Sequence, residues 1–237
     1  MNTYFSNHIL TVLIILISFA TSKSQTVNQD MGWFMFVNNT KFSDKWGMAL
    51  DVQVRSEAEW RGVRNLLFRP AITYFTGKNT NLSLGYLYTI MYLGDDAVKE
   101  SLTENRIFQQ FVANHKLSSV FVSHRFRLEQ RFIETEDDNI FAQRFRYFFR
   151  LIQPLRKEQD GFTGGPFIAF QNEAFLNVQN KERMNNRLFD QNRIYGAFGY
   201  RLSPKLDVEM GYLNQYAKSV NISTMNDIVQ LAVYTRF

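Results

Sequence analysis

Apolar and polar residues alternate along most of this chain, and the apolar spacing of a helix does not occur after residue 24. Between Trp46 and Trp60, for example, apolar side chains occupy alternate positions with Asp, Gln, Arg and Glu between them. Successive side chains of a β-strand point to opposite faces, so each such segment predicts a strand with one apolar and one polar face. The pattern predicts eleven such segments: Trp33–Phe42, Trp46–Trp60, Asn65–Phe75, Leu82–Tyr92, Leu102–Asn114, Val120–Phe132, Phe141–Leu151, Phe167–Leu176, Asp190–Leu202, Leu206–Tyr216 and Val229–Phe237.

The connections between these segments alternate in length. Turns such as Ser203–Lys205 are short, whereas connections such as Asn177–Leu188 are long and polar. Outer-membrane β-barrels have short turns on one side and long loops on the other, so this alternation favours a barrel. Two connections do not fit, because Arg61–Gly62 is tight on the loop side and Arg156–Gly165 is long on the turn side.

The placement of charge distinguishes a membrane barrel from a soluble β-sandwich, which is the alternative fold. A sandwich buries its apolar faces, whereas a membrane barrel turns them outward to lipid and encloses its polar faces. The segments reach the roughly 9–11 residues needed to cross lipid obliquely. Aromatic residues such as Trp46 and Trp60 lie at segment ends, and the polar faces carry opposite charges. We therefore predict an all-β protein, a closed antiparallel transmembrane β-barrel.

The alternation predicts eleven strands, but the number of strands in a closed barrel has a further constraint. Because bacterial barrels have even strand numbers, we predict 12 strands, with 10 as the next choice, and residues Thr26 to Gly32 could form the additional strand. Pro70 cannot donate a ladder hydrogen bond, so we expect a bulge at this residue or a strand that begins after it.

The first residues predict export. The apolar run from Ile9 to Ala20 is too short to span a membrane and is followed by small residues, as in a secretory signal peptide. We predict a signal peptide over 1–24 and a barrel over 25–237; the alternative is a buried N-terminal helix.

The 237 residues include no cysteine, aromatics make up 16%, and the net charge of +5 forms no basic block that would favour nucleic-acid binding.

The final segment is typical of the closing strand of an outer-membrane barrel. Val229, Leu231, Val233, Thr235 and Phe237 share one face, and the sequence ends on the aromatic residue. We interpret Phe237 as the insertion signal that the barrel-insertion machinery reads. The expected partners are outer-membrane lipid, that machinery and periplasmic chaperones, the expected location is the cell outer membrane, and the expected state is a monomer.

The polar faces supply the candidate functional residues. We interpret them as a structural ladder of Arg–Glu pairs, because buried charges need partners; the alternative is a narrow pathway for anions. The residues predicted to line the lumen are Arg55, Glu57, Glu59, Arg69, Arg125, Arg127, Glu129, Arg131, Arg144, Arg146, Arg150, Glu173, Arg193, Arg201, Asp207 and Glu209.

Catalytic and metal-binding interpretations are weaker. A lipid-modifying enzyme could use His124, but its neighbour Ser123 points to the opposite face, so no Ser–His pair forms. No catalytic residue, cofactor or metal site is predicted; the acidic residues Glu136, Asp137 and Asp138 are more consistent with a solvated loop than with a Ca²⁺ site. A docking barrel whose loops bind a partner, through residues 177–188, is a further alternative.

Several short motifs resemble a known family when they are taken in order. They are Glu129-Gln-Arg131-Phe132, Asn172-Glu173-Ala-Phe175, Phe189-Asp190-Gln191-Asn192-Arg193-Ile-Tyr195, Gly211-Tyr212-Leu213 and the terminal Arg236-Phe237. From about Trp33 to Phe237 the chain resembles an uncharacterised outer-membrane barrel family, domain of unknown function twenty-four-ninety, which is common in Bacteroidetes-type bacteria. The resemblance implies a small outer-membrane barrel, and it brings no established activity and no catalytic residues.

Overall fold

Eleven β-strands joined in chain order close into a barrel in the computed structural model, which describes residues 26–93, 100–134, 138–156 and 161–237. Each predicted segment overlaps one strand, so the prediction of an all-β closed barrel is confirmed. The predicted signal peptide, residues 1–24, lies outside the described residues. The strands are β1 (Thr26–Lys41), β2 (Trp46–Ser56), β3 (Val63–Phe75), β4 (Thr80–Leu93), β5 (Glu100–Leu117), β6 (Val120–Glu134), β7 (Asn139–Pro154), β8 (Gly165–Gln179), β9 (Phe189–Ser203), β10 (Leu206–Lys218) and β11 (Ser223–Arg236).

The barrel closes through one parallel pair of strands. β1 pairs with β11 in parallel, from Thr26 opposite Ser223 to Asn39 opposite Arg236, whereas all other neighbouring strands are antiparallel. When an odd number of strands alternate in direction, the first and the last run the same way, so closure must be parallel. The predictions of 12 or 10 strands and of an antiparallel sheet throughout are therefore wrong. Residues Thr26 to Gly32 extend β1 and form no additional strand.

Parallel closure places the two ends of the described barrel at opposite rims. We call the rim where β1 begins at Thr26 the N-terminal rim, and the rim that carries Phe237 the C-terminal rim. Phe237 is held there by backbone hydrogen bonds, because its nitrogen donates to Asn39 and its oxygen accepts from Lys41 at 2.9 and 2.7 Å. Its side chain is exposed on the barrel surface. The role of Phe237 as an insertion signal stays a prediction.

The connection between β2 and β3 begins earlier than the alternation indicates. β2 ends at Ser56, and the next residues form a 3-10 turn over Ala58–Trp60. Glu59 and Trp60 have positive φ angles of 56° and 61°, so the backbone turns although the apolar–polar alternation continues. The Trp60 ring folds back onto Gly32 of β1, where a β-carbon would clash with it. The predicted strand Trp46–Trp60 is therefore wrong beyond Ser56.

Pro70 lies inside β3 without the bulge or the later strand start that we expected. The register to β4 is unchanged across it, with Phe68 opposite Tyr88 and Ala71 opposite Gly85, and the ladder omits only the two residues between. The register shift between β2 and β3 lies at Arg55 and Ser56 instead. The sheet thus accommodates the missing donor by leaving a short gap in the ladder.

Aromatic and apolar side chains pack in the barrel interior. Phe108 packs over Gly85 and Phe167 over Gly199, and both rings occupy space that a β-carbon would take. Both rings are almost completely buried. An apolar cluster lies on one side of the interior and consists of Met31, Trp33, Tyr195, Leu213 and Ile228. In the described residues the helices are two 3-10 turns, and neither is long and apolar enough to span a membrane.

Candidate functional site: the charged barrel interior

The inward face of β5, β6, β7 and β8 carries a continuous ionic network. Glu129 on β6 is its centre and is 1% exposed. Arg146 Nη1 lies 2.5 Å from Oε1 of Glu129, and Arg144 Nη2 lies 2.7 Å from Oε2. Cross-strand register explains the contact with Arg144, which lies directly opposite Glu129. A buried carboxylate with this many cationic partners stabilises the barrel only while the partners remain in place.

Two further carboxylates extend the network along the barrel. Glu104 of β5 binds Arg106 and Arg131 at 2.7 and 2.6 Å. Glu173 of β8 accepts hydrogen bonds from both Arg146 and Arg125 at 2.7 Å. Because Arg146 binds Glu129 as well as Glu173, it joins the carboxylates of β6 and β8. Planar guanidinium groups are suited to this bridging role, since they donate in several directions at once.

Smaller ionic clusters lie outside this network. Near the C-terminal rim, Asp207 accepts from both Arg201 and Arg236 at 2.8 Å. Arg150 contacts Glu209 across the interior, and both belong to the same inward-facing layer as Tyr234. On the opposite wall, Arg69 contacts Asp51 of the neighbouring strand β2. Ionic pairs therefore occur at several depths of the barrel.

Phe162, in the described part of the connection between β7 and β8, packs at the C-terminal rim. Phe162 accepts a hydrogen bond at its carbonyl from Arg201 Nη1 at 2.7 Å, and its ring lies 4.1 Å from the Arg201 guanidinium. The same ring contacts Phe167 and Phe121, with centroid distances of 5.7 and 6.3 Å. Both of these rings belong to inward-facing positions. Phe162 thus packs between inward-facing rings of β6 and β8 at this rim.

Two interior arginines have no carboxylate partner among the described residues. Arg55 donates to the side-chain oxygen of Gln53 at 3.1 and 2.6 Å, and Gln53 in turn donates to Asp51. Arg193 lies opposite Glu173 in the β8–β9 register, but that carboxylate is bound to other arginines. Both guanidinium groups stack on Trp33, at 3.8 Å for Arg55 and 5.0 Å for Arg193.

These two arginines border a cavity of about 200 Å³ on the side of the network toward the N-terminal rim. Trp33 and Phe175 contribute aromatic walls, and Gln215 and Asn226 contribute amides. Arg69 also lines the cavity, and its buried Nε has no hydrogen-bond partner in the part of the chain that the structure describes. No carboxylate belongs to the described lining. We call this space the arginine chamber.

Most residues predicted to line the lumen point into it. Glu59 does not, because it belongs to the exposed turn after β2 and pairs with Arg61 there. Glu57 directly follows β2 and precedes the 3-10 turn, with one buried carboxylate oxygen that has no partner among the described atoms. The residues that point inward are Arg55, Arg69, Arg125, Arg127, Glu129, Arg131, Arg144, Arg146, Arg150, Glu173, Arg193, Arg201, Asp207 and Glu209.

Several interior charges were missed by the sequence reasoning. Glu104 and Arg106 share one face of the predicted strand Leu102–Asn114, so the alternation alone could have identified them. Asp51 had the same signal on β2. Asp190 had no such signal in the sequence. It lies beside a register shift at the start of β9, and from there it binds Arg144 at 2.8 Å.

His124, the candidate residue for enzyme chemistry, lies on the outward face of the barrel. His124 Nδ1 lies 2.9 Å from the hydroxyl of Tyr147, and its ring stacks on His115 with centroids 5.3 Å apart. Ser123 faces the interior opposite Arg150, so it does not meet His124. His115 lies in β5.

The described loop residues were candidates for metal binding and partner docking. No group of three or more metal-ligating side chains that could hold an ion occurs within residues 26–93, 100–134, 138–156 and 161–237. Asp138 pairs with Arg183 at 2.6 Å, and the other two residues of the acidic loop, Glu136 and Asp137, lie outside the described residues. The loop 177–188 is tied to the barrel by Asn185, which donates to the backbone of Phe189 and Lys218.

Comparison with known proteins assigns a family but no activity. Residues 31–226 match the family described as protein of unknown function (DUF2490), and the chain belongs to that family. It is also 26% identical over 236 residues to an uncharacterized protein of Methylorubrum extorquens, with 97% of each chain covered. No solved structure matches the chain significantly.

Proposed function

We propose that this protein is an outer-membrane β-barrel, exported by a signal peptide, whose ionic network fills the lumen and braces the wall. In this proposal it acts as a small envelope barrel with a closed interior. The observation that carries the proposal is the inverted distribution of side chains, with arginines and carboxylates buried and large apolar residues exposed. Membrane barrels have this distribution because lipid, and not water, surrounds them.

The outward face is unusually apolar for a protein in water. Phe68, Leu84, Phe198, Met210 and Tyr212 are between 49% and 63% exposed, and they lie on four different strands. Monomeric soluble proteins rarely expose a continuous apolar surface larger than about 300–600 Å². An apolar belt around the whole barrel is better explained by contact with lipid.

Strand length supports the same proposal. The strands contain between 11 and 18 residues. A tilted strand crosses the hydrocarbon core with about 9–11 residues, so every strand is long enough to span a bilayer.

The closed interior favours a structural role over an open channel. Arg146 connects the carboxylates of β6 and β8, and Phe162 binds Arg201 at the C-terminal rim. A solute that passed through would have to displace ion pairs whose separation leaves buried charges without partners, at a cost of several kcal/mol each. The protein is therefore expected not to conduct in its ground state.

The experiment is to express the full chain, isolate the membrane fraction, and compare boiled and unboiled protein on gels. We expect membrane fractionation, a requirement for detergent, and faster migration of the unboiled barrel. Protein that stays dissolved without detergent and migrates identically in both samples would contradict a membrane barrel. In planar bilayers we expect no discrete conductance steps.

A narrow anion channel is the second candidate, and the arginine chamber favours it, because unpaired arginines in a pore select anions. Discrete anion-selective steps in planar bilayers, altered by Arg127→Ala or Arg146→Ala, would support the channel. Silence in bilayers combined with heat-modified migration supports the closed barrel.

A further inference from the structure

We infer that the arginine chamber binds a small oxyanion of the phosphate type, held between Arg55 and Arg193 above the Trp33 ring. The inference does not depend on the proposed membrane location, because the chamber lies inside the barrel whether its outer wall meets lipid or not. Since strands surround the chamber, its ligand enters from solution and not from the bilayer.

The first argument is that the positive charge of the chamber is uncompensated. Within the described part of the chain, Arg55 donates to the neutral amide of Gln53, and no ion pair to a carboxylate reaches Arg55 or Arg193. The nearby carboxylates are engaged elsewhere, because Asp51 binds Arg69 and Glu173 binds two other arginines. Isolated charges in a barrel interior carry a desolvation cost, which a bound anion would offset.

The second argument is that a hydrogen-bond donor is left over at the chamber wall. Arg69 is 7% exposed, its Nη1 contacts Asp51, and its Nε has no partner among the described residues. A buried donor without an acceptor is uncommon, because leaving it unsatisfied costs free energy. An oxyanion offers several acceptor oxygens and could bind donors from more than one arginine, as phosphate does at planar guanidinium groups.

The third argument is that the chamber is already formed. Trp33 supports Arg55 and Arg193 through stacking, and Phe175 supports Arg193 from the other wall at 4.8 Å. With its amide oxygen turned toward Arg193, Gln215 accepts from Nε and Nη2 at 3.2 and 3.1 Å, which fixes the guanidinium plane. The volume of about 200 Å³ corresponds to roughly seven water molecules at about 30 Å³ each, so a phosphate group fits with some water.

Trp33 provides a direct reporter of binding. The chain has three tryptophans, and the other two, Trp46 and Trp60, are exposed on the barrel surface. With Trp46→Phe and Trp60→Phe in place, the fluorescence of the full mature chain in detergent comes from Trp33 alone. We expect a saturable change on titration with inorganic phosphate, and no such change with sodium chloride at matched ionic strength.

The variants are Arg55→Met and Arg193→Met, with Arg61→Met as the matched control because Arg61 is an exposed arginine on the nearby β2–β3 turn. We expect each chamber variant to weaken phosphate binding at least about tenfold, the size of effect expected from losing one charged hydrogen-bond donor, and the control to bind like the parent. The β-sheet circular dichroism spectrum of each variant, compared with that of the parent, verifies that the variant is folded.

Three outcomes would overturn the inference: no saturable response of the parent, an equal response to chloride, or equal weakening by Arg61→Met. If a chamber variant does not fold, Gln215→Glu replaces it. This change gives Arg193 a carboxylate partner and keeps a side chain of the same size in the chamber wall. It should therefore abolish phosphate binding. Retained phosphate affinity in a folded Gln215→Glu protein would also overturn it.

Discussion

The arginines of this barrel fall into two groups that differ in their partners and not in their residue type. On β7, Arg144 and Arg146 each bind two carboxylates, whereas Arg55 and Arg193 bind none among the described residues. Both groups face the same interior. The difference teaches that the ionic network stabilises only part of the barrel, and that the remaining arginines are available for a ligand.

The largest expected effect is the loss of the central carboxylate. Glu129→Gln leaves Arg144 and Arg146 each with one fewer carboxylate in a buried setting, and breaking a buried pair from one side costs about 3–5 kcal/mol. The free energy of unfolding, measured by urea titration in detergent, should fall by this amount. The control is Glu134→Gln on the same strand, whose exposed carboxylate binds only Thr103 among the contacts of the described chain. Equal effects of the two changes would contradict a network centred on Glu129.

Gln215→Glu should convert an unpaired arginine into a paired one. The new carboxylate would lie beside Arg193, where the amide now lies 3.1 Å from Nη2. A hydrogen bond to a charged group contributes about 1.5–3 kcal/mol, and desolvation of the carboxylate offsets part of this. We expect the free energy of unfolding to rise by about 1 kcal/mol at neutral pH. A fall in stability would show that Arg193 already has a partner.

Arg193→Met should have a smaller effect on stability than any change in the ionic network. Removing a charge that has no carboxylate partner relieves its desolvation cost, while the methionine keeps part of the packing on Trp33 and Phe175. We expect a change of at most about 1 kcal/mol in the free energy of unfolding. A loss comparable to that of Glu129→Gln would place Arg193 in the network.

The smallest effect is expected from a pair outside the barrel. Arg183 donates a hydrogen bond to Asp138, and this bond holds the pKa of the Asp138 carboxyl below its ordinary value. A lowered folded-state pKa contributes stability above the unfolded pKa of about 4 and loses it as the pH falls through the folded value. Because both side chains are exposed, Asp138→Asn should leave the urea midpoint at pH 7 unchanged within error. A measurable shift would show that the loops brace the barrel.

Alternation predicted which residues face inward but not which residues meet. In the segment Val120–Phe132 the alternation predicted that Arg127 and Glu129 point inward, because alternate residues of a strand share one face. The partner of each charge does not follow from register alone, because Glu173 lies directly opposite Arg193 and yet binds Arg146 and Arg125. The sequence therefore could not predict that Arg193 has no carboxylate partner among the described residues.

Strand number and turn position also lie beyond the pattern. The eleven segments were visible, but alternation carries no information about strand direction, so the parallel pairing of β1 with β11 could not be inferred. At Glu59 the apolar–polar alternation continues although the backbone turns at a positive φ angle. The sequence thus predicted the barrel and its charged interior. The parallel closure between β1 and β11 and the residue at which β2 ends required the structure.

The central claim is that apolar side chains meet lipid while charged side chains are enclosed, and β11 allows the most direct measurement. The chain has no cysteine, so single cysteines at consecutive positions 228–233 can each carry a nitroxide label in lipid vesicles. The claim predicts high accessibility to oxygen at Val229, Leu231 and Val233 and low accessibility at Ile228, Gln230 and Ala232. Absence of this alternation, or greater accessibility of Leu231 to a water-soluble nickel complex than to oxygen, would contradict it.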